Sequence, residues 1–163
     1  MEDIKKVLLH IGCGTHYHQG FINSDKEDVF PSGQKKKVDM LMDISKPWPY
    51  KDESVDGIIS MVALQCLNWV ELYFAFEEMY RVLKKGGVMR HGVVLEETKQ
   101  PLGVFLFGRN IQIYNFELFR SVLIDRIGFS SIKLCKWRET IVSEFRVVDC
   151  RHNRGTSYIE VIK

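Results

Sequence analysis

Only eight residues, Gly12 to Gln19, lie between an apolar run that ends at Ile11 and a second one that opens behind Gly20. The runs VLLHI and FINSD each read as a strand, and so short a connection limits how the two can be joined. A parallel crossover ordinarily takes a dozen or more residues, usually including a helix. Eight leave room for one helical turn at most. The connection opens on Gly12, Cys13 and Gly14, and glycine at a strand end lets backbone N–H groups approach a ligand with no side chain in the way. The second run closes on Asp25, a carboxylate placed to accept hydrogen bonds from both hydroxyls of a ribose. The segment therefore predicts a nucleotide-type cofactor site that lacks much of the helix dipole commonly assisting anion binding.

Beyond Asp25, apolar runs alternate with helical patterns, which predicts an α/β sheet. Strands are expected over 6–11, 21–24, 38–42, 57–62, 88–94, 131–137 and 157–162. The stretch SKPWPYKDES, with two prolines, reads as a loop, and the run Lys35 to Lys37 as a solvated strand entry. Trp69, Leu72, Phe76, Met79 and Leu83 recur at steps of three and four. They predict an amphipathic helix with Glu71, Glu78 and Arg81 on its charged face, stopped by Gly86 and Gly87. A second helix is expected from the N-cap Asn115 to Gly128, burying Phe119, Val122, Leu123 and Ile127.

At 163 residues, with 45% apolar and 27% charged residues, the chain reads as one globular domain over 1–163. The net charge of +2 argues against nonspecific nucleic-acid binding as a main role. Cys13, Cys66, Cys135 and Cys150 show no CxxC spacing, so neither a zinc ribbon nor a disulfide framework is expected. Cys13, His16 and His18 lack a completing ligand at sensible spacing, and no metal is expected. No apolar run suits a signal peptide or a membrane span, which places the chain in the cytoplasm as an expectation.

Four segments in order carry a family resemblance: IGCGT, FINSD, MDISKPWPYKDESVDGIIS and YRVLKKGGV. Together they resemble the class I S-adenosylmethionine-dependent methyltransferases, over Val7 to Gly87. The stretch GFINSD resembles in particular a small, type 11-like subgroup with a shortened first crossover before a GWxNxD-like motif. The resemblance implies a Rossmann-like, seven-stranded, mostly parallel sheet with its last strand antiparallel and helices on both faces. It implies S-adenosylmethionine as cofactor and S-adenosylhomocysteine as product. His10, Gly12, Cys13 and Gly14 would serve the methionine carboxylate end, Asp25 the ribose, and Asp43 with the Ile44 N–H the adenine. Ser60 and Met61, leaving strand four, would line the methionine side.

Several positions depart from the family pattern. His10 stands where an acidic residue or asparagine is usual, His16 replaces a third glycine, and Lys85 replaces a proline. Gln65 and Cys66 stand where the subgroup often has Glu-His, and Val94 and Leu95 where it often has Pro-Asp. Displacement at a sulfonium mainly needs alignment and exclusion of water, although a hydroxyl acceptor gains from a general base. His16, His18 and His91 are candidates for that base. Within PLGVFLFGRNIQIYNF, residues 101–116, Arg109 and Tyr114 are candidates for contact with the acceptor. The function expected is methyl transfer to a small-molecule acceptor by a monomer or homodimer. Its alternative is a catalytically silent module of the same fold that binds the cofactor or a protein partner. An NAD-type dehydrogenase is disfavoured, because its pyrophosphate needs a glycine turn opening a full helix.

Overall fold

The computed structural model describes residues 6–29, 32–93, 115–147 and 157–163. Arg109, Tyr114, Val94 and Leu95 lie outside the described residues. Seven strands form one sheet: β1 (Leu8–Ile11), β2 (Ile22–Asp25), β3 (Met40–Leu41), β4 (Val55–Met61), β5 (Leu83–Val93), β6 (Ser131–Cys135) and β7 (Ser157–Ile162). Their spatial order is β3-β2-β1-β4-β5-β7-β6. β1 pairs in parallel with β2 and β4, β2 with β3, and β4 with β5. β7 runs antiparallel to both neighbours, so the sheet has the expected topology. The order reverses beside β1, which puts a topological switch point at the carboxyl ends of β1 and β4.

Side chains alternate across the sheet, and its two faces are covered by different means. On one face Leu9, Ile11, Ile58, Met89, Val93, Ile159 and Val161 join the main core. Two helices pack there, α1 (Trp69–Val82) and α2 (Phe116–Arg120), which meet through Phe76 and Phe119 edge to face at 5.3 Å. α1 starts with a capping box, Asn68 accepting from the Glu71 N–H while the Glu71 side chain accepts from the Asn68 N–H. Its buried stripe is Leu72, Ala75, Phe76, Met79 and Val82. Trp69, expected in that stripe, stands at the first helical position and is 43% exposed. The helix also stops earlier than the glycines suggest: Leu83 is already extended and pairs with Val55, so Gly86 and Gly87 belong to β5.

Glu78 likewise leaves the solvated face to which its spacing assigned it. It is buried, accepts the Trp48 N–H at 2.6 Å and pairs with Arg81. Arg81 donates in turn to the Trp48 and Tyr50 carbonyls and to Asp52, so the pair clamps the loop between β3 and β4 onto α1. α2 is capped by Asn115, which accepts from the Leu118 N–H. It continues as a π-helical turn over Ser121–Ile127 that ends at Gly128 with φ of 101°.

On the opposite face Leu8, Phe21, Ile59 and Val88 pack under Phe145, from a 3₁₀ turn over Ser143–Val147. Gly57 makes this seat, since a Cβ there would lie 2.7 Å from Phe145 Cζ. Two buried charges hold the preceding loop against the same face. Arg90 donates to the Glu139 and Lys136 carbonyls at 2.8 and 3.1 Å. Glu160 accepts from the Ile141 N–H at 3.1 Å and from the Thr140 hydroxyl, and stands 3.5 Å from Arg90. Among the described residues, two α-helices lie on one side and a 3₁₀ turn on the other. No described helix is long and apolar enough to cross a membrane.

Candidate functional site

The short crossover keeps its path by side-chain hydrogen bonds in place of a helix. Asn23, buried in β2, accepts the His18 N–H at 2.9 Å and donates to the His18 and Phe21 carbonyls and to Asp39. Asp39 also accepts the Asn23 N–H. The glycine turn is tied to β2 through Cys13 N–H to the Ser24 carbonyl at 3.0 Å. Gly12 and Gly14 have φ of 60° and 56°, a conformation glycine adopts without strain. They differ in what surrounds them. A Cβ on Gly12 would lie 2.4 Å from the Ala63 Cβ, so the turn is packed against the exit of β4, whereas a Cβ on Gly14 would meet nothing within 4 Å.

Beside that open space stands Asp25, the last residue of β2. One carboxylate oxygen accepts the Gly14 N–H at 2.8 Å and the other the Lys26 N–H at 2.8 Å. Lys36 Nζ approaches the second oxygen to 3.4 Å, with only 9% of its side chain exposed. Asp43, just past β3, accepts from the Ser45 hydroxyl at 2.7 Å and the Ser45 N–H at 3.0 Å, and pairs with Lys26 at 3.0 Å. The Ser45 hydroxyl above all, with Lys26, holds its carboxyl down at about 2. Ile44 is half-buried against the core, and its carbonyl accepts the Trp48 indole N–H. The open space over Gly14 thus lies beside the Asp25 carboxylate at the end of β2.

Other sequence-derived candidates fall elsewhere. His10 points to the sheet face opposite the helices, where it is buried, shares a 3.2 Å hydrogen bond with Asn23 and lies 5.3 Å from the His18 ring. Burial pushes its imidazole down to about 4, which favours the neutral form. Cys13 has its N–H engaged by Ser24, and burial pushes its thiol up to about 11. Ser60 lies inside β4, fully buried, its hydroxyl 2.6 Å from His91 Nδ1. His91 is fully buried too, and burial pushes its imidazole down to about 3. Met61 ends β4 half-buried, with Val62 at φ of 59° after it, an uncommon conformation for a β-branched residue.

His16 is exposed and His18 half-buried, both on the crossover beside the glycine turn. Burial lowers the His18 imidazole. Gln65 is buried and Cys66 exposed after β4. No group of three or more metal-ligating side chains occurs among the described residues. Sequence reasoning missed Lys36 and Asn23. The alternating exposure of 35–37, with only Lys36 turned inward, follows from a strand-like period that three successive lysines conceal.

With this geometry in place, the chain can be set beside methyltransferases that it resembles. The model of a family described as a methyltransferase domain matches residues 9–90. The demethylmenaquinone methyltransferase of Bacteroides fragilis is 27% identical, the match covering 74% of this chain and 58% of that protein. The chain thus spans under two-thirds of that relative's length. A S-adenosylmethionine-dependent methyltransferase from Archaeoglobus fulgidus superposes with a TM-score of 0.66 at 17% identity, over 97% of this chain and 86% of that one. Another from Thermotoga maritima, described as a possible histamine N-methyltransferase, gives 0.62 at 20% identity, over 96% and 82%. The chain belongs to the methyltransferase domain family and has the class I S-adenosylmethionine-dependent methyltransferase fold.

Proposed function

We propose that the protein transfers a methyl group from S-adenosylmethionine to a small-molecule acceptor. The observation that carries this reading is the open space over Gly14, bordered by Asp25 through a 2.8 Å hydrogen bond. When bound, the cofactor would supply a methyl group on an already activated sulfonium. Asp25 would accept from its ribose, the glycine turn would face its carboxylate end, and Asp43 with Ile44 would border its adenine. The protein's work is then to orient and to exclude water. Of the three histidines, His16 and His18 are the ones left beside the turn to take a proton from a hydroxyl acceptor, and Arg109 and Tyr114 remain the residues to test on the acceptor side.

A second reading, a cofactor-binding module without turnover, is favoured by the complete burial of His91 and its bond to Ser60. Thermal melting with S-adenosylmethionine, S-adenosylhomocysteine and NAD separates the cases. A ligand at 100 times its Kd stabilises the native state by about 2.7 kcal/mol, and both adenosyl ligands are expected to raise the melting temperature while NAD does not. Asp25→Ala should abolish most of that rise. Absence of any shift with the adenosyl ligands would refute the proposal, and binding without turnover across an acceptor panel would favour the silent module.

A further inference from the structure

The loop over 136–147 anchors its polar backbone inward and leaves apolar side chains on its outside. The Lys136 and Glu139 carbonyls accept from the buried Arg90, while the Ile141 N–H and the Thr140 hydroxyl donate to the buried Glu160. Phe145 fixes the far end of the loop in its seat over Gly57. With the backbone held at these points, Trp137, Ile141 and Val147 stand 41%, 67% and 60% exposed. Apolar side chains scattered singly over a surface are ordinary, but three held on one pinned loop form a patch. The charges around it are unbalanced. Among the described residues, Lys6, Lys133, Lys136, Arg138 and Arg146 are exposed here, against two carboxylates, Glu139 and Glu144. Glu139 pairs with Lys133 at 2.6 Å and Glu144 with Lys6 at 2.7 Å. Lys136, Arg138 and Arg146 then give the patch a net positive charge, and the Arg138 guanidinium lies over the Trp137 ring at 4.5 Å.

We propose that this loop is a docking surface for an anionic lipid bilayer, on which the protein lies without spanning it. Ile141 and Val147 enter the boundary between headgroups and acyl chains. Trp137 sits at headgroup depth, where a ring with one apolar body and one polar N–H is at home. Lys136, Arg138 and Arg146 face the lipid phosphates, whose negative surface potential draws basic side chains. A nucleic acid would match the charge, but its phosphate backbone offers nothing to two exposed aliphatic side chains. The anchoring by Arg90 and Glu160 matters for the same reason: the loop is already ordered, so docking costs little conformational freedom. The inference is separate from the adenosyl-cofactor reading and stands or falls without it.

Co-sedimentation of the full chain with vesicles tests this, using phosphatidylcholine alone and phosphatidylcholine mixed with phosphatidylglycerol. Wild type should partition onto the mixed vesicles and not onto phosphatidylcholine alone, and its indole emission should shift to the blue. Lys136→Gln should lower the partition coefficient by about fivefold, the effect of one basic side chain near an anionic surface. Ile141→Ser should lower it by about tenfold through the apolar area no longer buried. Trp137→Phe should remove most of the emission shift while retaining most of the binding. All three positions are exposed, so each variant is expected to keep the wild-type melting temperature, which is measured alongside. Absence of binding to the mixed vesicles would overturn the proposal. So would binding that Ile141→Ser leaves unchanged, since charge alone would then account for it. Retention of an oligonucleotide or an acidic polypeptide in place of vesicles would overturn it in favour of a polyanionic partner.

Discussion

At Gly57 the sheet passes so close to Phe145 that one added methyl group has no room, with 2.7 Å to Phe145 Cζ and 3.0 Å to Leu8 Cδ2. Gly57→Ala is therefore expected to destabilise the fold by about 1–3 kcal/mol, the usual cost of overpacking, measured as a lower urea midpoint. Two histidines give the fold a pH dependence. His10 and His91 are held neutral by burial, at about 4 and about 3, while an unfolded chain protonates them near 6.5. The unfolded state thus binds more protons as the solution is acidified below that value. Stability should be level above pH 6.5 and fall between 6.5 and about 4, by about 1.4 kcal/mol per pH unit for each histidine. Urea titrations at pH 7, 6 and 5 read the slope, which His91→Gln should reduce. At this scale the sequence reveals types more readily than surroundings. Gly12, Gly14 and Asp25 stand out by motif, but Glu78 and Lys36 look like surface charges, because their burial depends on Trp48 and Asp25, 30 and 11 positions away.

Among the elements, the crossover between β1 and β2 depends on one side chain. Asn23→Ala would leave the His18 N–H and the His18 and Phe21 carbonyls without the partner they now have. The expected loss is about 2–3 kcal/mol, with faster amide exchange over 14–20 than over β4 in a hydrogen–deuterium measurement. Strand and helix positions were largely readable from periodicity, and the short connection correctly indicated a crossover with no full helix. Boundaries were less legible. α1 ends at Val82 because the extended pairing of Leu83 with Val55 prevails over local helix propensity, and β3 shrinks to Met40–Leu41 beside the polar contacts of Asp39 and Asp43. The π-helical turn at Ser121–Ile127 has no signature in a pattern of apolar spacing.

For the whole molecule, the family resemblance implied a mostly parallel sheet with its last strand antiparallel, but neither the order of its strands nor how its second face is closed. That closure joins β5 and β7 to the loop over 136–142 through Arg90 and Glu160, a long-range match invisible to any local pattern. Phe145→Ala should cost about 3–5 kcal/mol and shift the urea midpoint, with the helical face retaining its slow amide exchange longest. β7 lies between β5 and β6, and Val88 pairs with Ile162. Such distant pairing is slow to form, because loop closure precedes the contacts that reward it. During synthesis β6 consequently emerges before β7, the strand it pairs with, and its exposed Leu134 waits unpaired until residues 157–162 leave the ribosome. The nascent chain is most exposed to misassociation in that interval.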